Sequence, residues 1–208
     1  MISAADARAF GEVVDTGGVA LFPADTVYGL ACDPDSDEAV RRLYRLKGRP
    51  PDKPAAVMFF GCDLALAALP ELGRRTRAAL ERLLPGGVTV LLPNPSRRFP
   101  LACGPDPQTF GLRVPALPDA LAPLHAIDRP VLQTSANPAG EPAARRLTDV
   151  PASIRDGVDV ALDGGELPGT ASTVVDLRAY EAEGRWSVVR DGAVGEAALV
   201  RALDVEAP

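Results

Sequence analysis

The stretch SDEAVRRLYRLKGRPP, residues 36–51, predicts an amphipathic helix with an abrupt end. Ser36 is a preferred N-cap residue, because its hydroxyl can accept a backbone N–H of the first turn. Val40, Leu43 and Tyr44 recur at helical spacing and fall on one face. This face is expected to pack against the core.

Two cations, one residue apart, mark the end of this helix. Lys47 lies in the last predicted turn, Gly48 is a plausible C′ residue, and the prolines 50–51 prevent continuation. A glycine in this position can adopt a left-handed conformation that directs Lys47 and Arg49 toward one cleft. As exposed cations at a helix end, they are expected to contribute only ~0.3–1 kcal/mol to stability.

Short strands and helices alternate along the rest of the chain. Strands are predicted at residues 19–22, 30–32, 55–60, 88–92, 111–114, 130–133 and 158–162, with a terminal hairpin at 173–178 and 186–190. A further helix is predicted to begin at a capping box formed by residues 3–6 and to end at residue 17. Others are predicted at 63–69, 70–84, 118–126, 149–155 and 195–203. The proline-rich residues 93–110 and the residues 138–146 are predicted loops. The class is α/β, bordering on α+β: a single domain over 1–208 with a twisted mixed sheet flanked by helices.

Composition limits the possible functions. The chain has 208 residues and a net charge of −6, which argues against a sequence-independent nucleic-acid binder. Its three cysteines are widely spaced, which favours reduced thiols in a cytoplasm. We find no signal peptide pattern and no apolar run that could span a bilayer, so we expect a cytoplasmic protein without a membrane partner.

The common catalytic motifs are absent from the sequence. It has one histidine, His125 in an apolar helix, and no G-x-S-x-G, Walker A or G-x-G-x-x-G pattern. The acidic cluster at 33–37 suits a helix-capping turn better than a Ca²⁺ loop, so no metal site is predicted. What remains is a set of cations, hydroxyls and an amide close to strand or helix ends: Thr26, Lys47, Arg49, Thr109, Arg113, Ser135, Asn137, Ser172 and Arg190.

Each of these residues singly has an ordinary structural explanation, such as capping a helix or forming a turn. As a set they fit phosphoryl or adenylyl transfer, which depends mainly on positioning and charge stabilisation. Arginine offers a bidentate fork to phosphate or carboxylate, and lysine offers a point charge. The set therefore indicates a site for a small anionic ligand.

The order of short motifs resembles one known family. P-x-D-T-V-Y-G-L from Pro23, K-x-R-P from Lys47, S-A-N-x-x-G from Ser135, S-T-V-x-D from Ser172 and a late R-D-G from Arg190 are similar to the YrdC-like family of threonylcarbamoyl-adenylate synthases. P-G-x-x-T and a strand ending in R-x-P also match. The resemblance runs from about Val19 to about Val194.

This resemblance implies a YrdC-like fold with a concave cationic cleft, and it implies a reaction. L-threonine, bicarbonate and ATP, with Mg²⁺ on the phosphates, would give threonylcarbamoyl-adenylate and pyrophosphate. A separate tRNA threonylcarbamoyl transferase would then move the group to an adenosine beside the anticodon, giving t6A at tRNA position 37. Direct tRNA binding by this chain is expected to be weak or absent.

The resemblance also implies residue roles. The catalytic and nucleotide-binding set is Lys47, Arg49, Ser135 and Asn137. Further ATP contacts are Thr109 and Arg190. The threonine pocket comprises Thr26, Arg113 and Ser172, with Arg113 meeting the amino-acid carboxylate.

Three departures from the family pattern stand out. Met58 replaces a common histidine, Ala24 replaces threonine in the first turn, and residues 143–145 replace the usual Ser-Pro-Thr. Should the family histidine contact threonine, Met58→His is expected to be tolerated and to change KM for threonine more than kcat.

Two other readings stay open at this point. One is a double-stranded RNA- or tRNA-binding module without synthase activity. The other is the related domain of hydrogenase-maturation carbamoyltransferases, whose additional zinc-finger and acylphosphatase units exceed the length of this chain.

Overall fold

A single mixed sheet organises the computed structural model, which describes residues 1–204. Its nine strands are β1 (Ala20–Pro23), β2 (Tyr28–Cys32), β3 (Ala56–Met58), β4 (Val88–Pro93), β5 (Thr109–Arg113), β6 (Val131–Ser135), β7 (Val160–Ala161), β8 (Thr173–Asp176) and β9 (Ser187–Arg190). They lie in the order β7-β1-β2-β6-β3-β5-β4-β8-β9. Three pairs are parallel (β1–β7, β3–β5, β4–β8) and the other five are antiparallel, which confirms the predicted mixed sheet.

Helices connect the strands. The α-helices are α1 (Ala4–Asp15), α2 (Asp37–Lys47), α3 (Cys62–Ala68), α4 (Arg74–Leu83), α5 (Pro100–Cys103), α6 (Ala152–Arg155), α7 (Tyr180–Glu183) and α8 (Glu196–Leu203). Two 3-10 helices span Asp119–Ala126 and Leu147–Asp149. Among residues 1–204 no helix is long and apolar enough to cross a membrane.

Local capping chemistry defines the two helices that were predicted best. Ser3 and Asp6 form the capping box of α1, with the Ser3 hydroxyl accepting the Asp6 N–H at 3.1 Å. Ser36 caps α2 by accepting the Ala39 N–H at 3.3 Å. Gly48 ends α2 in the left-handed region at φ 58°. The predicted cap, stop and buried face of α2 are confirmed.

Aromatic rings hold α1 against the sheet. Phe10 of α1 meets Phe22 of β1 edge to face with ring centroids 5.1 Å apart, and meets Phe60 at 5.7 Å. All three side chains are fully buried.

The predicted loop at 93–110 is wrong in part, because long-range pairing organises both of its ends. Thr109 pairs with Pro93, so β5 starts two residues earlier than predicted. Asn94, almost fully buried, donates to the Pro107 carbonyl at 3.1 Å and to the Arg98 carbonyl at 2.9 Å. These bonds close the segment around the short helix α5.

Several other boundaries differ from the predictions. β3 is shorter than 55–60, β2 begins at Tyr28 within the predicted turn, and α4 begins at Arg74 rather than in the segment 70–73. The predicted helix at 118–126 is a 3-10 helix with Pro123 inside it, since proline lacks the N–H that an α-helix needs. The terminal hairpin is confirmed, and α7 forms an additional turn within its connection.

Candidate active site

A continuous row of paired residues crosses the sheet, and Arg113, Thr89, Val174 and Arg190 of this row line the site. The row runs through Val131, Met58, Arg113, Thr89, Val174 and Arg190. Each residue belongs to a different strand and shares the same face by register. Two arginines predicted to bind different substrates, Arg113 and Arg190, thus stand on one surface.

A cavity of about 450 Å³ lies over this face. Its floor includes Ala56 and Gly111, which are register partners on β3 and β5. A Cβ atom added to Gly111 would lie 3.5 Å from the Thr89 side chain and 3.7 Å from the Ala56 backbone. The two small residues therefore keep the floor open.

Seven of the nine predicted site residues line this cavity. They are Thr26, Arg49, Thr109, Arg113, Ser135, Ser172 and Arg190. Lys47 and Asn137 are not among the lining residues, and each stands behind the cavity wall. The structure therefore brings the predicted phosphate and amino-acid residues into one chamber.

Arg113 is the most buried charge of the cavity wall, with 3% of its side chain exposed. Its Nη2 donates to Asp25 and to the Thr26 hydroxyl, the latter at 2.9 Å. Burial lowers the pKa of the Arg113 guanidinium, and the carboxylate of Asp25 opposes this effect. Asp25 was not singled out in the sequence.

Ser172 sits between two side chains of neighbouring strands. Its hydroxyl lies 2.8 Å from the Thr89 hydroxyl, and its carbonyl oxygen accepts Arg190 Nη2 at 2.8 Å. Burial and the nearby charge of Arg113 lower the pKa of Arg190. The predicted ATP contact Arg190 and the predicted threonine contact Ser172 therefore touch each other, and Thr89 joins them.

Lys47 reaches the end of β6 from the end of α2. Its ammonium donates to the Ser135 carbonyl and lies 3.3 Å from the hydroxyls of both Thr134 and Ser135. Only 3% of Lys47 is exposed, which corrects the prediction of an exposed cation. Burial, and secondarily the charge of Arg49, lowers the pKa of Lys47 to about 7.

Arg49 is held by the loop that follows α2. Its guanidinium lies over the Tyr44 ring, 5.6 Å from the centroid, and its Nη2 donates to the Pro54 carbonyl. The Tyr44 hydroxyl donates to the Lys53 carbonyl at 2.8 Å, which ties the same loop to α2. Tyr44 was predicted only as part of the apolar face of α2.

Asn137 shapes the loop after β6. Its amide donates to the carbonyls of Pro138 at 2.9 Å and Glu141 at 2.6 Å. Its buried Oδ1 has no hydrogen-bond partner within residues 1–204. The Ala139 N–H reaches back to the Lys47 carbonyl at 3.2 Å, so the loop is fixed to the end of α2.

One further side chain, Arg178, contacts a lining residue and was missed. Arg178 donates to the Thr109 hydroxyl at 3.3 Å, and its Nη1 lies 3.8 Å from Asp106. Arg178 lies two residues after the end of β8, so a search for cations near strand ends could have included it. Met58, in contrast, is fully buried and does not line the cavity. Position 58 is therefore a packed core position in this chain.

Carboxylates are sparse around the cavity. Asp106 is the one acidic residue among its lining residues, and no cluster of three or more His, Cys, Asp or Glu side chains occurs in the described chain.

Comparisons with known proteins agree with this geometry. Residues 12–192 match the family model of Sua5, YciO and YrdC, which is described as "Telomere recombination". A threonylcarbamoyl-AMP synthase of Pseudomonas paraeruginosa is 37% identical over 175 residues, covering 81% of this chain and 90% of that protein. The protein of the same name from Pyrococcus abyssi is 31% identical over 162 residues, covering 77% of this chain and 47% of that protein.

The same fold occurs in a solved structure. Sua5 of P. abyssi, complexed with L-threonine, superposes with a TM-score of 0.84 at 26% identity, covering 98% of this chain and 58% of that one. The chain thus spans about half the length of the archaeal relative and most of the bacterial one. Because the family model covers most of the chain and the sequence identities extend across it, this protein belongs to the Sua5/YciO/YrdC family.

Proposed function

We propose that this protein is an L-threonylcarbamoyladenylate synthase, which makes threonylcarbamoyl-AMP and pyrophosphate from L-threonine, bicarbonate and ATP. One observation carries this proposal: a single cavity joins Arg113, a buried arginine suited to a carboxylate, with Arg49 and Arg190, two further cations suited to phosphates. The relatives named threonylcarbamoyl-AMP synthase support it.

The reaction has two bond-forming steps. Bicarbonate takes up a proton and loses water to give CO₂, and the neutral amine of threonine attacks the carbon of this CO₂. The proton that the amine then loses replaces the one consumed by bicarbonate, and the product is a carbamate. A carbamate oxygen then attacks the α-phosphorus of ATP, and the bond from that phosphorus to the bridging oxygen breaks. Pyrophosphate leaves with the bond electrons.

Two anions must meet in the second step, and the cavity offers fixed cations for both. Arg113 receives the threonine carboxylate, with Thr26 and Ser172 beside it. Arg49, together with Lys47 acting through Ser135, stabilises the charge that develops at the α-phosphate. Because Lys47 bonds to Ser135, the serine hydroxyl is held as part of the same phosphate-binding wall.

The remaining residues have supporting roles. Asn137 shapes the loop that adjoins Lys47, and Thr109 and Arg190 contact the nucleotide. Mg²⁺ would be brought to the site as part of the Mg²⁺-ATP substrate. Asp106 is the carboxylate that could hold it, and its chemistry would be to neutralise phosphate charge.

The product is an activated acyl-adenylate, so a transferase must consume it. A tRNA threonylcarbamoyl transferase complex fits this chemistry, and the present chain needs no stable contact with tRNA to supply it. The low number of aromatic residues and the acidic net charge support weak direct binding.

A pyrophosphate-release assay with L-threonine and bicarbonate omitted in turn tests the proposal. Release is expected to require both, together with Mg²⁺-ATP. Equal release without threonine would contradict the synthase. Salt-dependent tRNA binding without any pyrophosphate release would favour the RNA-binding alternative.

A further inference from the structure

The carboxylate of Asp25 connects two motifs that are distant in sequence. One oxygen, Oδ1, accepts Nη2 of Arg113, and the other, Oδ2, accepts the backbone N–H of Ala116 at 3.1 Å. Residues 25 and 113 lie on different elements, the turn before β2 and the end of β5. The Asp25 side chain therefore holds the turn before β2 against the end of β5.

Burial makes this bond more than a surface ion pair. The Arg113 and Asp25 side chains are 3% and 7% exposed. Arg113 lines the cavity, whereas Asp25 is not among the lining residues. Asp25 thus stands behind Arg113 as seen from the cavity and reaches a bound ligand only through it.

The hydrogen bonds of Arg113 leave one terminal nitrogen available. Nη2 is occupied by Asp25 and the Thr26 hydroxyl. Nη1 is buried and has no partner among residues 1–204. A guanidinium fixed through one nitrogen presents the other in a defined direction, because its donors lie in a rigid plane.

We propose that Asp25 is a positioning residue, which aims Nη1 of Arg113 at the carboxylate of the amino-acid substrate. The inference rests on the proposed function in one respect, that Arg113 receives this carboxylate. Asp25 touches neither substrate and acts by orienting Arg113 and by balancing its charge in the empty cavity.

Arg190, which also lines the cavity, increases the need for a negative charge beside Arg113. Arg190 lies close enough to Arg113 for their charges to repel, and this repulsion lowers the pKa of Arg190. Without Asp25 the empty cavity would hold two arginines with no anion beside Arg113. Removal of one member of a buried pair leaves the other uncompensated, so Arg113 would turn away from its place.

Asp25→Asn tests the proposal with a nearly isosteric change. The amide oxygen can still accept one bond, but its NH₂ group cannot accept the Ala116 N–H, and the negative charge is lost. We expect KM for L-threonine to rise at least tenfold, with KM for ATP changed less than twofold. Direct titration of the variant with L-threonine should show the same loss of affinity.

Asp159→Asn is the matched control. Asp159 likewise binds an arginine, Arg42, and a backbone N–H, that of Val19 at 2.8 Å, but it does not line the cavity. Like Asp25→Asn, this variant loses a carboxylate that accepts from an arginine and from a backbone N–H. Unlike Asp25→Asn, it should leave KM for threonine and KM for ATP unchanged. Equal effects of the two variants on KM for threonine would overturn the positioning role.

A gentler variant covers the case in which Asp25→Asn does not fold. Ala116 is exposed and follows a proline, so Ala116→Pro removes the N–H that holds Asp25 while keeping both charges. We expect a rise of about threefold or more in KM for threonine, and an unchanged KM would overturn the proposal. If the wild-type protein itself fails to bind L-threonine, the proposed function fails instead.

Discussion

The ammonium of Lys47 donates to the backbone carbonyl of Ser135 and lies 3.3 Å from its hydroxyl oxygen. This contact joins the end of α2 to the end of β6, which are 88 residues apart in sequence. Lys47 therefore acts on the cavity through Ser135, and its burial makes its charge sensitive to what the cavity holds.

Lys47→Met should separate the charge of this lysine from its packing, because methionine keeps the apolar stem. We expect kcat/KM for ATP to fall ~10²–10³-fold, the loss typical of one preorganised electrostatic group. The melting temperature should stay within ~5 °C, since the variant loses three hydrogen bonds but also the cost of burying an ammonium. Steady-state pyrophosphate release beside a thermal melt measures both, and near-normal turnover would remove Lys47 from the site.

ATP binding should take up a proton above neutral pH. Burial lowers the pKa of Lys47 to about 7 in the free protein, so the amine is largely neutral at higher pH. Bound polyphosphate favours the ammonium and raises that pKa. The Kd for ATP should therefore increase by up to about tenfold for each pH unit above 7.

Calorimetric titration in buffers of different ionisation enthalpy measures this proton uptake. Working between about pH 7.5 and 9.5 avoids the last phosphate ionisation of ATP, whose pKa is near that of other phosphates. Lys47→Met is the control and should bind ATP weakly without proton uptake. A Kd that does not change with pH in the wild-type protein would contradict the prediction.

Arg49 should be sensitive to the shape of its cation as well as to its charge. Its guanidinium is stacked over Tyr44 and bonded to the Pro54 carbonyl, so its remaining donors are held in one plane. Arg49→Ala should lower kcat/KM ~10²–10³-fold, and Arg49→Lys should recover little, because a point charge cannot reproduce a bidentate fork. Arg45→Ala, in the last turn of the same helix but exposed, is the control and should retain full activity.

The parts of the fold governed by local rules could be predicted from the sequence. The cap at Ser36, the left-handed Gly48 and the terminal hairpin depend on residues close in the chain, and all were predicted. The segment 93–110 was not, because its order depends on the pairing of Thr109 with Pro93 across a long connection. Sequence periodicity carries no information on such register.

The residue types of the site could be predicted from the sequence, but the contacts between these residues could not. Cations and hydroxyls near strand ends identified seven residues that line one cavity. Asp25 was missed because its role exists only when the fold brings Arg113 to it. The burial of Lys47 was missed for a similar reason. A lysine at a helix end is ordinarily solvated, and this one is buried where the fold brings the end of β6 to it.

Serine should be a poorer substrate than threonine. The two amino acids differ by one methyl group, and a fitted pocket discriminates such a difference by ~1–3 kcal/mol, or about 10–200-fold in kcat/KM. Parallel pyrophosphate-release assays with the two amino acids measure the ratio. Equal kcat/KM values would show that the pocket around Thr26 and Ser172 does not enclose the side chain.

Met58→His should now be destabilising, which reverses the expectation drawn from the sequence. Met58 is fully buried and is the cross-strand partner of Arg113 on β5 and of Val131 on β6. An imidazole there would have to stay neutral beside the arginine and would lack a defined partner for its ring nitrogens. Burying such a polar group costs ~1–3 kcal/mol.

Met58→Leu is the control for that variant, because a hydrophobic exchange of similar volume usually costs less than ~1.5 kcal/mol. Denaturant unfolding of both variants gives the two free energies of unfolding, and threonine titration of the folded material gives the effect on the neighbouring Arg113. We expect the histidine variant to lose stability and to bind threonine more weakly, since any protonation of the imidazole would repel the guanidinium. A histidine variant with wild-type stability and tighter threonine binding would show that this side chain can reach the cavity, and would restore position 58 to the threonine pocket.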